Sequence, residues 1–481
     1  MIYEAVIGLE VHLHLNTRTK AFCGCATEFG KEPNTQVCPV CLGFPGALPV
    51  FNRAALDYAI KVALALNCKI QEYTNFDRKN YFYPDLPKDY QISQYDLPLS
   101  RDGFLDIDTQ GKIKRIGITR VHMEEDAGKL IHEDGVSLID FNRTGIPLLE
   151  IVSEPDINSP EEAHEYLSAL KSLIEYLDVS DCDMEKGSLR CDANISLRPK
   201  GNKALGVKAE LKNMNSFKGV KDALSFEIGR QSEMLNSGLE IVQETRLWDA
   251  KESKTFPMRA KEEAKDYRYF PEPDLPPFII KEEKIAEIKN SIPELPHAKA
   301  ERFIKEYGLS EYNAKILAAS KKDAFFAEEC FKACLDKDKK GVVNWLIGPI
   351  LSEANSQAKN ISDLNISPAN LLGLLDFVEK NEISYLSAKA VLTEMINSGK
   401  TPGVIIKEKN LMQISDTNTL KKIMEEVINE NPKSITDYKS GKENALMFLV
   451  GQLMRKSRGK ANPKTARALL KRALYFDSKT P

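Results

Sequence analysis

The sequence predicts an α+β fold that gives way to helices alone, on three observations. Up to about residue 290, short stretches at 5–15, 189–197 and 207–212 alternate apolar and polar residues with the period of two that a half-buried strand requires. Between them, residues 53–66 and 159–177 carry apolar side chains at helical spacing. From Ala298 onward the alternation stops, and amphipathic segments such as 323–337 and 368–380 follow one another across polar turns. The run Phe270-Pro271-Glu272-Pro273-Asp274-Leu275-Pro276-Pro277 is read as unable to continue a strand or a helix, because proline fixes φ and has no amide hydrogen. With Pro293 and Pro296 it is expected to bracket a domain boundary near residue 293. Thr401-Pro402-Gly403 marks a further break, so the expected domains are 1–292, 293–405 and a helical tail, 406–481.

A chain of 481 residues exceeds one ordinary core, so several domains are expected, each able to bury an apolar interior. With 42% hydrophobic and 28% charged residues it reads as a soluble globular protein, and no stretch reaches the roughly 20 apolar residues of a membrane span. Met1-Ile2-Tyr3-Glu4 runs straight into a strand pattern with no export or transit leader, so a cytoplasmic location is expected. The net charge of −3 would be unusual for a protein that coats a polyanion everywhere, but it says nothing about local basic patches.

Nine cysteines in a reducing compartment point to metal where they cluster and to core where they scatter. Cys23 and Cys25 are separated by twelve residues from Cys38 and Cys41, with Gly24 and Gly43 permitting tight turns. Two close pairs on short loops offer four thiolates for structural zinc; the alternative is four small apolar residues in a core. Cys68, Cys182, Cys191, Cys330 and Cys334 are scattered and read as core.

The strand pattern Val6-Ile7-Gly8-Leu9-Glu10-Val11-His12-Leu13-His14 puts Glu10, His12 and His14 on one face. Further acids lie in similar surroundings: Glu124-Glu125-Asp126 after His122, Glu150 within an apolar run, Asp192 beside Cys191, and Glu210 between Lys208 and Lys212. Each alone is compatible with an ordinary salt bridge; together, carboxylates among apolar residues favour a divalent cation, and the preponderance of oxygen favours Mg2+ over zinc. No phosphate loop is present: Gly399-Lys400-Thr401 imitates one, but Glu394 stands where its first glycine belongs. A nucleotide would therefore be held by metal and by cations on a sheet, with Arg190, Lys208 and Lys212 the candidates.

The aromatic, proline-containing stretch from Arg78 to Tyr95 suits either an ordered loop stacking on a base or plain loop packing. Arg455, Lys456, Arg458, Lys460, Lys464, Arg467, Lys471 and Arg472 form an acid-free basic stretch, either a footprint for a phosphate backbone or a solvated helix face.

Ile7-Gly8-Leu9-Glu10-Val11-His12, residues 80–94, Val121-His122-Met123-Glu124-Glu125-Asp126, Asp140-Phe141-Asn142-Arg143-Thr144-Gly145-Ile146-Pro147-Leu148-Leu149-Glu150-Ile151, Gly187-Ser188-Leu189-Arg190-Cys191-Asp192 and residues 266–276 closely resemble the B subunits of the aspartyl/glutamyl-tRNA amidotransferases, over essentially the whole chain. The resemblance implies a cradle domain of the glutamine synthetase and guanido kinase type, a helical domain, and a tail that grips tRNA. It implies ATP-dependent conversion of a glutamate or aspartate esterified to tRNA into an acyl phosphate, then its amidation. It implies metal ligands Glu10, His12, Glu125 and Glu150, with Asp192 and Glu210 in a second set, and zinc on the four clustered cysteines; with a tRNA-gripping tail, the basic stretch makes Arg455, Lys456, Arg458, Lys460, Lys464 and Arg467 the expected tRNA contacts. No glutaminase machinery is recognisable, and the family takes its ammonia from a separate amidase (A) subunit joined by a small C subunit. A non-catalytic tRNA-binding scaffold and a ligase for a free amino acid remain the rival readings.

Overall fold

The computed structural model describes residues 2–258, 267–334, 339–413, 417–457 and 460–476. They fall into two compact units, Met1–Pro296 and His297–Pro481. The first is mixed sheet and helix, the second helical. No helix among the described residues is long and apolar enough to cross a membrane.

Nine strands form the main sheet of the first unit: β1 (Tyr3–His14), β2 (Lys69–Ile70), β3 (Ser100–Thr109), β4 (Lys112–Glu125), β5 (Pro147–Ser153), β6 (Leu189–Pro199), β7 (Ala209–Lys212), β8 (Glu244–Asp249) and β9 (Lys254–Pro257). Their spatial order is β2-β3-β4-β5-β1-β6-β7-β8-β9, so the first strand is inserted at the centre. All neighbours are antiparallel except β7 and β8. Strands β5 and β6 flank β1 in the same direction, as do β7 and β8 side by side, and each such return needs a crossover. Helices α2 (Pro160–Leu177) and α3 (Phe217–Asn236) supply them. Ser159 and Ser216 cap their first turns, accepting from the amides of Glu162 and Gly219.

Both crossovers and α1 (Arg53–Ala65) pack on one face of the sheet, so that face is the core. Ile7, Leu9, Val11 and Leu13 of β1 meet Ile60, Leu167, Leu170 and Leu224 there. The alternate residues of the strand must then point the other way. That opposite face carries the polar side chains.

Contrary to expectation, the proline-rich run does continue into regular structure. Phe270–Pro271 pairs with residues 77 and 78 at the edge of a small sheet, and Phe278–Ile279 pairs with Tyr73–Thr74. Proline is tolerated because an edge strand leaves amide positions unpaired, and Arg78 clamps the run by a two-pronged bond to Glu272 at 2.7 and 2.8 Å. The second unit begins after Pro296. Its helix read at 323–337 runs over Lys321–Ala333, started by Ser320, while 335–338 lie outside the described residues. Its last four helices, Thr417–Glu430, Pro432–Lys439, Glu443–Lys456 and Pro463–Phe476, enclose a separate core of Leu420, Val427, Leu446, Leu449, Leu453, Leu470 and Leu474.

Candidate active site and metal centres

The register of the central strands aligns charged residues across the open face. His122 of β4 stands opposite Glu150 of β5, which stands opposite His12 of β1, which stands opposite Arg190 of β6. One row along, Glu10 stands opposite Asp192, and beyond it Asn194 stands opposite Glu210. Directly opposed residues place their Cβ atoms roughly 5 Å apart, so their side chains meet.

His12 Nε2 lies 3.5 Å from Glu150 Oε2 and 3.9 Å from Glu124 Oε1. One ligand atom from each of His12, Glu124 and Glu150 falls within 4.8 Å of the others. His122 Nε2 approaches the same Glu150 oxygen at 3.5 Å, and His122 is only 3% exposed. Burial pushes the His122 imidazolium down to about 4, so the ring is neutral at physiological pH. Burial also raises the Glu124 carboxyl, and neighbouring Glu150 adds to it. Glu150 goes the other way: burial opposes its charge, but His122 and His12 outweigh that and hold it well below the usual range. Two converging carboxylates and an imidazole, in a place that penalises their charge, suit a hard divalent cation.

Glu10 stands beside this group without belonging to the close triad. Its Oε1 accepts from Asn194 Nδ2 at 2.8 Å, and burial, followed by repulsion from Glu150, Asp192 and Glu210, raises its carboxyl. Asp192 and Glu210 come together as the sequence suggests, but around a lysine: Lys212 Nζ bonds to Asp192 and lies 3.1 Å from Glu210. Thr245 holds the other Glu210 oxygen at 2.7 Å. Arg190 is spent on Asp126, at 3.0 Å. Lys208 is exposed just before β7.

Glu125 is not brought to the triad. Its neighbour Glu124 is, because alternation along β4 sends successive side chains to opposite faces. The Glu125 carboxylate is buried on the other side, accepting from Lys88 Nζ and, at 2.9 Å, from the Ile92 amide. It faces a cavity of about 210 Å³ also lined by Lys20, Cys41 and Gly145. Sequence reasoning gives no role to His122, Lys88 or Asn194. For His122 the signal is available, since it shares the parity of Glu124 between the apolar Val121 and Met123.

The four clustered cysteines converge. All are unpaired, their sulfurs lie within 4.8 Å of one another, and Cys38 Sγ is 3.9 Å from Cys41 Sγ. Tetrahedral zinc with sulfur at ~2.3 Å leaves edges of roughly 3.8 Å. The Cys41 thiol is drawn down to about 4, chiefly by the Cys23 thiol donating to it and further by the Cys38 amide and Lys20. Lys20 is fully buried, its ammonium 3.7 Å from Cys41 Sγ.

In the aromatic stretch Phe82 and Tyr83 are exposed, while Tyr81 and Tyr95 pack on rings from residues 267–269. Tyr95 stacks on Tyr269 with centroids 4.1 Å apart, and Lys79 Nζ sits 5.0 Å from the Tyr267 centroid. In the tail, Arg455, Lys456, Lys464 and Arg467 are exposed and Lys460 is half-buried, while Arg458 lies outside the described residues. The stretch is acid-free only in sequence, because Lys456 Nζ reaches Glu426 at 2.9 Å and Glu430 at 2.6 Å on the neighbouring helix.

An open sheet bearing a carboxylate and imidazole cluster, in a chain that continues into helices with a basic end, belongs to the class of tRNA-dependent amidotransferases: residues 5–286 match the GatB/GatE catalytic domain and residues 326–474 the GatB domain. The chain is a member of that GatB family. It is similar to the B subunit of the aspartyl/glutamyl-tRNA(Asn/Gln) amidotransferase of Carboxydothermus hydrogenoformans, at 56% identity over 474 residues covering 98% of each chain. It is likewise similar to the same-named protein of Caldanaerobacter subterraneus subsp. tengcongensis, at 57% identity over 476 residues, 98% of this chain and 100% of the relative.

Proposed function

We propose that this chain is the transamidase component of a cytoplasmic A, B and C heterotrimer, which uses ATP to activate the side chain of glutamate or aspartate already esterified to tRNA(Gln) or tRNA(Asn). The convergence of His12, Glu124 and Glu150 on the open sheet face carries the proposal. Residues 1–292 act as a catalytic cradle of the glutamine synthetase and guanido kinase type, 293–405 as a helical domain, and 406–481 as the tRNA-gripping tail.

A free carboxylate resists ammonia because it is a poor electrophile without a leaving group. Phosphoryl transfer from ATP gives an acyl phosphate, and ammonia delivered by the amidase component displaces phosphate from it. His12, Glu124 and Glu150 are the proposed Mg2+ ligands, with Glu10, Asp192 and Glu210 lining the approach. Bound there, the cation would supply charge neutralisation between the γ-phosphate and the substrate carboxylate, two anions that repel. His122, neutral and pressed against Glu150, keeps that carboxylate turned toward the triad. Lys212 lies between two acids where it offsets their repulsion, and Lys208 remains exposed for a phosphate.

The reconstituted heterotrimer is expected to convert Glu-tRNA(Gln), Asp-tRNA(Asn) or both to the amide, with ATP and glutamine required. Product formation from neither would discard the reading. Reversing Arg455, Lys464 and Arg467 together to glutamate should raise KM for charged tRNA by roughly tenfold or more at physiological salt and leave KM for ATP alone; equal effects on both would remove the tail from tRNA binding. The cysteine cluster is a proposed structural zinc site. Metal analysis of the purified chain should give a single zinc that Cys25→Ser and Cys38→Ser together release, with faster proteolysis confined to residues 20–50; a metal-free wild-type chain of the same protease resistance would count against it.

A further inference from the structure

Lys20 is fully buried, and a lysine is almost never so without a counter-charge. Among the described residues its ammonium has two partners, Cys41 Sγ at 3.7 Å and the Phe141 carbonyl oxygen at 3.2 Å, and neither is a carboxylate. Thr19 and Ala26 form a bridge, and the Lys20 amide donates to Cys25 O at 3.0 Å, which fixes the lysine in the loop that carries Cys23 and Cys25. Across from it, the Ala21 amide donates to Gly145 O at 2.7 Å. Gly145 has φ +80°, and a Cβ there would touch Lys20 Cδ at 3.5 Å and Cys41 Cβ at 3.7 Å. The lysine therefore stands between the sulfur cluster and the turn at residues 141–146, from which β5 and Glu150 emerge.

Resting on the zinc reading above, we infer that Lys20 is a positioning residue of that centre: its ammonium offsets the charge of the four-sulfur site, donates to Cys41 Sγ, and pins the site to the 141–146 turn. Four thiolates around one dication carry a net negative charge, and a buried cation within reach of one of them lowers the energy of the loaded form. The empty cluster offers the ammonium much less, so the same lysine then costs stability. Lys20 thus favours the loaded cluster over the empty one. The Phe141 carbonyl also accepts from the Thr144 amide at 3.1 Å, so lysine and turn share an acceptor, and a change at the sulfurs reaches the turn.

In the intact heterotrimer, Lys20→Met keeps the length of the side chain and removes its charge and donor. It should hold zinc about 10–100-fold more weakly, the range seen when a group supporting a metal ligand is lost, as read by competition with a chromogenic chelator. Melting should respond oppositely in the two forms: metal-free Lys20→Met no lower than metal-free wild type, zinc-loaded Lys20→Met below zinc-loaded wild type. A side chain that only fills space would shift both the same way. With cobalt in place of zinc, the sulfur-to-cobalt charge-transfer band should move to lower energy in Lys20→Met. Lys20→Arg, which keeps charge and donor, should return it toward the wild-type position. One measurement needs no variant: stripping zinc from the wild type should speed amide hydrogen exchange at residues 141–146. Zinc held equally well by Lys20→Met, or exchange at 141–146 indifferent to zinc in the wild type, would overturn this role alone. A wild-type chain without zinc would sink the zinc reading and the role with it.

Discussion

Replacing Glu124 by glutamine is expected to lower ATP-dependent amidation by roughly 10²–10³-fold, the range seen when a group stabilising transition-state charge is removed, with charged-tRNA binding unchanged. Glu124 is 5% exposed, its Oε1 faces His12 at 3.9 Å, and its Oε2 accepts from Ser93 Oγ at 3.3 Å. An amide of the same shape keeps the Ser93 bond through its oxygen and removes only the charge. Because burial already disfavours that charge, the variant should melt no lower than the wild type. Its Mn2+ affinity, measured by electron paramagnetic resonance, should fall with the activity. Glu125→Gln is the informative contrast: it strips the partner from the nearly buried Lys88 and should cost thermal stability without a comparable loss of Mn2+ binding. Wild-type turnover in Glu124→Gln, or loss of Mn2+ binding in Glu125→Gln alone, would return the ligand role to Glu125.

That contrast marks where reading the residues reaches its limit. The alternation of β1 is plain in Leu9, Val11 and Leu13, and it puts Glu10 and His12 on one face as observed. The same parity applied to Val121 and Met123 puts Glu124 beside His12 and Glu150, whereas the family resemblance implies Glu125. The four cysteines are legible because ligand spacing within each pair is local. The gathering of Glu150, His12 and Arg190 in one row is not, since it depends on β1 entering between β5 and β6, which no short stretch encodes. Nor can the acid-free tail reveal Glu426 and Glu430, which a helical turn-back brings to Lys456. Pro271 misleads for a related reason: proline forbids a central strand, and only the assembled sheet shows that its strand lies at an edge.

The second large effect is expected at Asp126, where the chemistry of the open face meets its support. Asp126 is 4% exposed and collects three cationic or donor side chains: His14 Nε2 at 2.6 Å, Arg190 at 3.0 Å and Arg143 at 3.5 Å. Burial opposes its charge, but Arg190, His14 and Arg143 together hold the carboxyl well below the usual range. Removing one partner of a buried ionic cluster leaves the others uncompensated, so Asp126→Ala should cost about 3–5 kcal/mol, lowering the melting temperature by roughly 10 °C. A carboxylate whose folded value is depressed contributes stability above its unfolded value and loses it as pH falls through the folded one. The deficit should therefore persist above about pH 5 and disappear only as pH falls below about 4. Activity should fall as well, because Arg190 stands directly opposite His12 in the row. Released from Asp126, its guanidinium is free to swing toward Glu10 and Glu124 and neutralise acids that the cation needs. Asp126→Asn retains the shape and two hydrogen-bonding atoms, and should lie between wild type and alanine in both melting temperature and Mn2+ affinity. Melting of the alanine variant within 2 °C of wild type would mean that Arg190 is positioned by something other than this carboxylate, roughly 0.5–1 kcal/mol being all such a shift allows.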